Sequence, residues 1–207
     1  MNIRKIPGAL CLAGAVVLAL GATAPAGQSG GGPQTAKAIF AGGCFWSVER
    51  FFDKVDGVVS TTSGFAGGTK KNPTYEEVVR GGTGHVESVE IAYDPKKVSY
   101  EKLLDAFWHN IDPFTPDGQF CDFGSQYQTA IFYSDETQKR LAEKSKKDIQ
   151  DRFKKAVATK IVVASEFYPA EEYHQDFHIK NPVRYEAYRI GCGRDRKLVE
   201  VWGKEKK

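Results

Sequence analysis

The chain has 207 residues, enough for one domain with tails. Its 29 Lys and Arg residues oppose 26 Asp and Glu residues, and setting aside Arg4 and Lys5 brings the balance almost to neutral. That balance argues against nucleic acid or any other polyanion as a partner. No phosphate-binding loop, Cys-x-x-Cys pair or internal repeat is present.

Residues 1–26 read as a secretory signal peptide. Arg4 and Lys5 supply the basic start, residues 6–20 the apolar run, and Ala22-Thr23-Ala24 and Ala24-Pro25-Ala26 small-residue cleavage sites. The apolar run is short for a membrane span. An uncleaved anchor is the less favoured alternative. Residues 27–35 form a Gly- and Ser-rich flexible lead-in. Beyond it lie Cys44, Cys121 and Cys192. Three is an odd number, so intrachain pairing leaves at least one thiol free. About 175 residues can bury a core without disulfides.

In chain order, residues 36–40 form a strand and residues 44–54 a helix, with Val48, Phe51, Phe52 and Val55 on its inner face. A β-branched strand follows at 58–62, then a glycine-containing loop at 63–73 and a short helix at 74–79. Residues 87–93 alternate as a strand. Ser99 caps a helix to about 110, and 112–124 form a long irregular loop. A strand at 128–133 precedes a helix from 135 to 153, started by a capping box of Asp135 and Gln138. Another strand is expected at 157–163 and a short helix at 171–177. Residues 182–202 read as an irregular C-terminal segment, and Lys204 to Lys207 as a basic tail. The order β-α-β-β-α-β is the split βαβ plan of an α+β, ferredoxin-like sandwich with an extra helix and strand. The loops at 42–45, 63–75, 113–127 and 167–174 all fall outside the sheet.

The chemistry centres on Cys44. It follows two glycines at a strand-to-helix turn and precedes Phe45 and Trp46. Backbone N–H groups at a helix start favour thiolate over thiol, and the rings supply an apolar wall. The competing reading is a buried structural cysteine. Glu87 shares the inward face of its strand with Val89 and Ile91. Desolvation there raises its pKa and makes it a proton donor. Tyr75, Tyr127 and Asp122 are further polar candidates in loops. His85 could act as a base for the thiol, which would make the chain a cysteine hydrolase. A noncatalytic peptide-binding module is a further alternative. Glu171, His174 and His178 fall at helical spacing compatible with a metal, but are favoured as surface or supporting groups.

Six segments together resemble peptide methionine sulfoxide reductase A. They are Gly42-Gly43-Cys44-Phe45-Trp46, Gly64-Phe65-Ala66-Gly67-Gly68, Pro73-Thr74-Tyr75, Thr83-Gly84-His85-Val86-Glu87, Gly124-Ser125-Gln126-Tyr127 and Tyr173-His174-Gln175-Asp176. The resemblance implies a catalytic domain over 36–203 that reduces methionine-S-sulfoxide, free or in proteins. It implies Cys44 as the nucleophile that becomes a sulfenic acid, and Glu87 as the acid that protonates the sulfoxide oxygen. Tyr75 and Tyr127 would hold that oxygen, Phe45 and Trp46 receive the substrate methyl, and Asp122 shape the polar side. No metal and no organic cofactor are implied. Thioredoxin or a thioredoxin-like reductant is the implied partner, and a monomer is expected. Where many members carry Asn-Gly-Tyr-Cys, this chain reads Asn181-Pro182-Val183-Arg184-Tyr185. Cys192, between Gly191 and Gly193, is therefore the favoured resolving cysteine, with Cys121 its rival. The leader makes an exported protein, in a bacterial periplasm, the expected location.

Overall fold

The computed structural model describes residues 35–203. The expected signal peptide, the lead-in up to residue 34 and the tail from 204 lie outside the described residues. The elements are β1 (Ala36–Gly42), α1 (Phe45–Phe52), β2 (Val58–Ala66), α2 (Tyr75–Arg80), β3 (Val86–Tyr93), α3 (Tyr100–Trp108), β4 (Gly118–Gln119) and β5 (Asp122–Phe123). They continue with β6 (Thr129–Tyr133), α4 (Glu136–Phe153), β7 (Lys160–Val163), β8 (Tyr168–Pro169), α5 (Phe177–Lys180), α6 (Pro182–Gly191) and α7 (Arg194–Trp202).

The main sheet has the order β7-β6-β1-β3-β2-β8. Its central four strands are antiparallel, with β3 inserted between β1 and β2. This is the expected split βαβ arrangement. β7 extends one edge in parallel with β6, and β8 covers the other edge, along β2. Alternation along the strands divides the apolar residues between two faces. Phe40, Phe65, Val89, Ile91 and Ile131 join the larger core with Val48 and Phe52 of α1 and Leu103, Leu104 and Phe107 of α3. Ala41, Ala66, Ala130 and Phe132 form a smaller cluster on the other face. Phe40 is the hub of the larger core, its ring 5.2 Å from Phe52 and 5.0 Å from Phe107. No methionine fills this interior, because Met1 is the only one in the chain. Rigid rings and branched aliphatics do the packing instead.

The helix caps follow the sequence. Thr74 and Glu77 form a reciprocal capping box, and the Ser99 side chain accepts the Lys102 N–H. Asp135 accepts the Gln138 N–H as expected. The Gln138 side chain, however, reaches Ser134 N and Lys37 O, so the box is only half formed.

The loop expected at 112–124 carries the short β4–β5 hairpin and β7 begins at Lys160 rather than 157, and three further segments differ from expectation. β2 continues to Ala66, where a loop was expected, because Ser63–Ala66 are buried between β3 and β8. A side chain at Gly64 would come within 2.3 Å of Tyr168 O, so glycine permits that close approach. The helix expected at 171–177 is a 3-10 turn at Glu172–His174 followed by α5, separated by Asp176 in left-handed backbone (φ 54). The C-terminal segment is helical rather than irregular. Pro182 opens α6 at its first turn. No single apolar stripe announces these helices, since Val183 and Ile190 face solvent. Individual anchors hold α7 instead: Arg194 Nη2 donates to Asn110 O at 2.7 Å, and Trp202 Nε1 to Ile111 O at 2.9 Å.

Candidate active site

Cys44 occupies the N-cap position of α1, directly after β1, and is buried. The turn depends on Gly43, whose φ of 82° is left-handed. A side chain there would also meet Gln119 Cβ at 2.6 Å. Gln119 is itself pinned by bonds to the Asp112 backbone, its Oε1 accepting from Asp112 N and its Nε2 donating to Asp112 O. The long loop thus closes over the turn that presents the thiol.

Glu87 is buried at the start of β3, 1% exposed. Its Oε2 accepts the Phe45 N–H at 2.9 Å. That N–H bond favours the charged form, but burial outweighs it and pushes the carboxyl up to about 8, with Asp122 adding to the rise. Glu87 is therefore a neutral acid at pH 7, as its strand position predicts.

The expected thiolate is not what the resting site favours. Burial, and then the charges of Glu87 and Asp122, push the Cys44 thiol well above its ordinary range. The Tyr188 hydroxyl and the Trp46 backbone N–H work in the opposite direction. The helix-start argument fails in part because the Phe45 N–H is committed to Glu87. Cys44 and Glu87 both rest protonated, which is how a desolvated pocket avoids two adjacent negative charges.

Tyr75, at the start of α2, and Tyr127, in the 3-10 turn at Ser125–Tyr127, lie close enough to influence each other's ionisation. Both phenols are raised chiefly by burial, Tyr75 to about 12, and both feel Glu87 and Cys44. Asp122 in β5 accepts the Tyr188 hydroxyl. Its carboxyl is raised by burial against the pull of Tyr188 and Arg194. The residues singled out from four separate stretches of sequence thus share one pocket.

The aromatic wall is built from both ends of the chain. Phe45 packs on Phe65, Tyr75 and His174. Trp46 stacks on Phe177 at 3.7 Å between centroids and 6° between planes. Its Nε1–H donates to His174 Nδ1 at 3.1 Å. His174 is therefore a buried supporting group, not a surface one. Burial lowers its pKa to about 4, so the ring is neutral and able to accept. Glu171 Oε1 accepts the Tyr75 N–H at 3.0 Å, which ties the start of α2 to the same segment. His178 lies elsewhere, 3.4 Å from Asp53, so the histidines at helical spacing do not converge.

His85 does not serve Cys44. Its Nδ1 accepts the Gly68 N–H at 3.1 Å, and its Nε2 meets Lys70 O at 2.7 Å, pinning the loop after β2. Cys121 and Cys192, expected as rivals for Cys44, are joined to each other in a disulfide with Cα atoms 4.9 Å apart, and Cys44 is free. Sequence reasoning missed Tyr188 and Arg194, which reach the site from the C-terminal helices. Tyr185 and Tyr188 do sit one turn apart, the spacing that would have marked a helix face.

The family model for peptide methionine sulfoxide reductase matches residues 36–206. The chain is 51% identical over 170 residues to peptide methionine sulfoxide reductase MsrA of Bacillus licheniformis, covering 81% of this chain and 94% of that protein. It is 45% identical over 195 residues to peptide methionine sulfoxide reductase MsrA 2 of Caulobacter vibrioides, covering 94% and 97%. Among solved structures, reduced Mxr1 of Saccharomyces cerevisiae superposes with a TM-score of 0.69 at 31% identity, over 72% of this chain and 87% of that one. With a buried thiol, a neutral carboxylic acid and paired phenols in one pocket, the chain belongs to the peptide methionine sulfoxide reductase family, in its MsrA branch.

Proposed function

We propose that Cys44 attacks the sulfur of methionine-S-sulfoxide while Glu87 supplies the proton its oxygen needs. Sulfoxide oxygen is a poor leaving group, and a proton donated as the S–O bond polarises lowers that barrier. Tyr75 and Tyr127 hold the oxygen by hydrogen bonds that add no charge. Phe45 and Trp46 receive the substrate methyl. Overall, Cys44–SH and the sulfoxide become Cys44–SOH and methionine. The S–O bond of the substrate breaks, an S–O bond on Cys44 forms, and the cysteine sulfur is oxidised by two electrons. The observation that carries this reading is the juxtaposition of Cys44 with a Glu87 that stays neutral to about pH 8. The occupied ring nitrogens of His85 remove the base that a cysteine hydrolase needs.

Regeneration follows from the cysteine arrangement. Cys192 condenses with the Cys44 sulfenic acid, releasing water. Cys121 then exchanges onto Cys192 and frees Cys44 as a thiol, leaving Cys121–Cys192 oxidised. A thioredoxin-like dithiol reduces that pair. Support comes from the Cys121–Cys192 bond beside a free Cys44, and from the glycines on both sides of Cys192. The basic start and apolar run at the N-terminus support export to the periplasm.

The deciding experiment is a reductant-free single turnover on the separated sulfoxide epimers. Wild-type protein yields methionine from the S epimer only, and Cys44→Ser yields none. Methionine from the Cys44→Ser protein would sink the assignment.

A further inference from the structure

We propose that Tyr188 is a catalytic residue of this site, a hydroxyl shared between the Asp122 carboxylate and the Cys44 sulfur that stabilises the thiolate as it forms. The inference rests on Cys44 being the nucleophile.

Tyr188 is half-buried on α6, in the segment where the chain departs from the motif it otherwise resembles. Its hydroxyl donates to Asp122 Oδ2 and lies near enough to the Cys44 sulfur to favour the thiolate. Its ring meets Trp46 edge-on, with centroids 5.9 Å apart and an interplanar angle of 85°. The residue thus bonds the acidic side of the site and packs on the aromatic wall, with its hydroxyl beside the nucleophile. A phenol has one proton. At rest it is given to Asp122, which is the better acceptor while Cys44 is a neutral thiol. When Cys44 loses its proton, the sulfur becomes a competing anion at the same hydroxyl, and a charge-assisted bond to it is worth more than a neutral one. Tyr188 can satisfy that demand without moving its ring. It remains protonated throughout, because burial and the neighbouring anions push its own ionisation far upward.

Two cross-links hold the hydroxyl in place. Asp122 directly follows Cys121, and Cys192 closes α6 one turn after Tyr188, its N–H donating to Tyr188 O at 2.9 Å. The Tyr188–Asp122 bond and the Cys121–Cys192 bond therefore join the same two segments side by side. The other ionisable groups that act on Cys44 are Glu87 from β3 and Asp122 from β5, while Tyr75 from α2, Tyr127, Tyr185 from α6 and the buried Arg194 from α7 lie close enough to feel its charge. Arg194 is the one cation among them, and it approaches from the same C-terminal helices as Tyr188.

The test reads the ionisation of Cys44 directly. Disulfide-intact protein is alkylated with iodoacetamide across a pH series, and the Cys44 peptide is quantified by mass spectrometry. Tyr188→Phe keeps the ring against Trp46 but removes the proton. It is expected to move the alkylation midpoint upward and to slow Cys44 alkylation at pH 8 by about tenfold, the equivalent of one pK unit. Single-turnover methionine formation should slow in parallel. A second variant carries 3-fluorotyrosine at position 188, an isosteric and stronger donor, and should move the midpoint downward. An unchanged alkylation profile in correctly folded Tyr188→Phe overturns the proposal. If that variant does not fold, an unchanged profile in the fluorotyrosine protein overturns it instead. The nucleophile reading fails separately, through methionine formed by Cys44→Ser, and the alkylation comparison does not depend on that outcome.

Discussion

The Phe45 N–H donates to Glu87 Oε2 at 2.9 Å, so the first amide of α1 serves the acid and not the adjacent sulfur. This one bond explains two properties of the site. It fixes the carboxyl against the turn that carries Cys44, and it leaves the thiol short of the helix-start donor that would have ionised it.

Replacing Glu87 with Gln keeps an oxygen for the Phe45 N–H but removes the transferable proton. The single-turnover rate should fall by about 10²- to 10⁴-fold, the usual worth of a positioned acid. Stopped quench of methionine formation checks this. In the wild type the same measurement should show the rate falling as pH rises through about 8, where Glu87 gives up its proton. A Gln variant with wild-type rate and pH profile would remove Glu87 from the chemistry.

Glu87 also makes stability depend on pH. The folded protein holds this proton to about pH 8, whereas the ordinary carboxyl value is 4.5. Between those values the folded state binds more protons than the unfolded chain, so stability declines as pH rises. Glu49, buried in α1 and raised to about 7 chiefly by burial, acts in the same direction. Urea midpoints measured from pH 5 to 8 should therefore drop, and drop less in Glu87→Gln.

Substituting Leu for His174 strands the Trp46 indole N–H in a buried place. An unsatisfied buried donor costs about 1–3 kcal/mol, so the thermal midpoint should fall. The indole should also lose its fixed orientation, raising KM for methionine-S-sulfoxide more than it lowers kcat. Gln at the same position retains an acceptor and should recover part of both losses. Equal kinetics in the Leu and Gln variants would argue against the orienting bond.

Gly43→Ala should destabilise by about 1–3 kcal/mol, because it combines left-handed backbone with a clash on Gln119. Chemical denaturation checks the loss. Surviving folded protein should also turn over slowly, since any relief of the clash displaces Cys44.

Cys192→Ser should carry out one turnover at the wild-type rate and then stall with a thioredoxin-like reductant. A small thiol such as dithiothreitol should restore cycling. Undiminished cycling with the protein reductant would exclude Cys192 from regeneration.

Much of this was legible in the sequence because its signals are local. The glycine pair before Cys44 announces a turn, the alternation around Glu87 announces burial, and Thr74, Ser99 and Asp135 announce helix starts. What was hidden depends on contacts between distant segments. Trp46 and His174 are 128 residues apart, and Asp122 and Tyr188 are 66 apart. Their residue types suggested nothing that local spacing could decode. The C-terminal helices were missed because anchors such as Arg194 and Trp202, not an apolar stripe, hold them down. The balance of charges at Cys44 was misjudged chiefly because the depth of its burial and the nearness of Glu87 and Asp122 depend on distant segments.

The thioether-free interior has a consequence for durability. An oxidant that converts buried methionines elsewhere into swollen, polar sulfoxides finds no such target among the packed rings around Phe40. Among the described residues the repair enzyme offers itself no client, so its capacity need not decline in step with the damage it reverses. The sulfur that the described residues do offer an oxidant is cysteine sulfur.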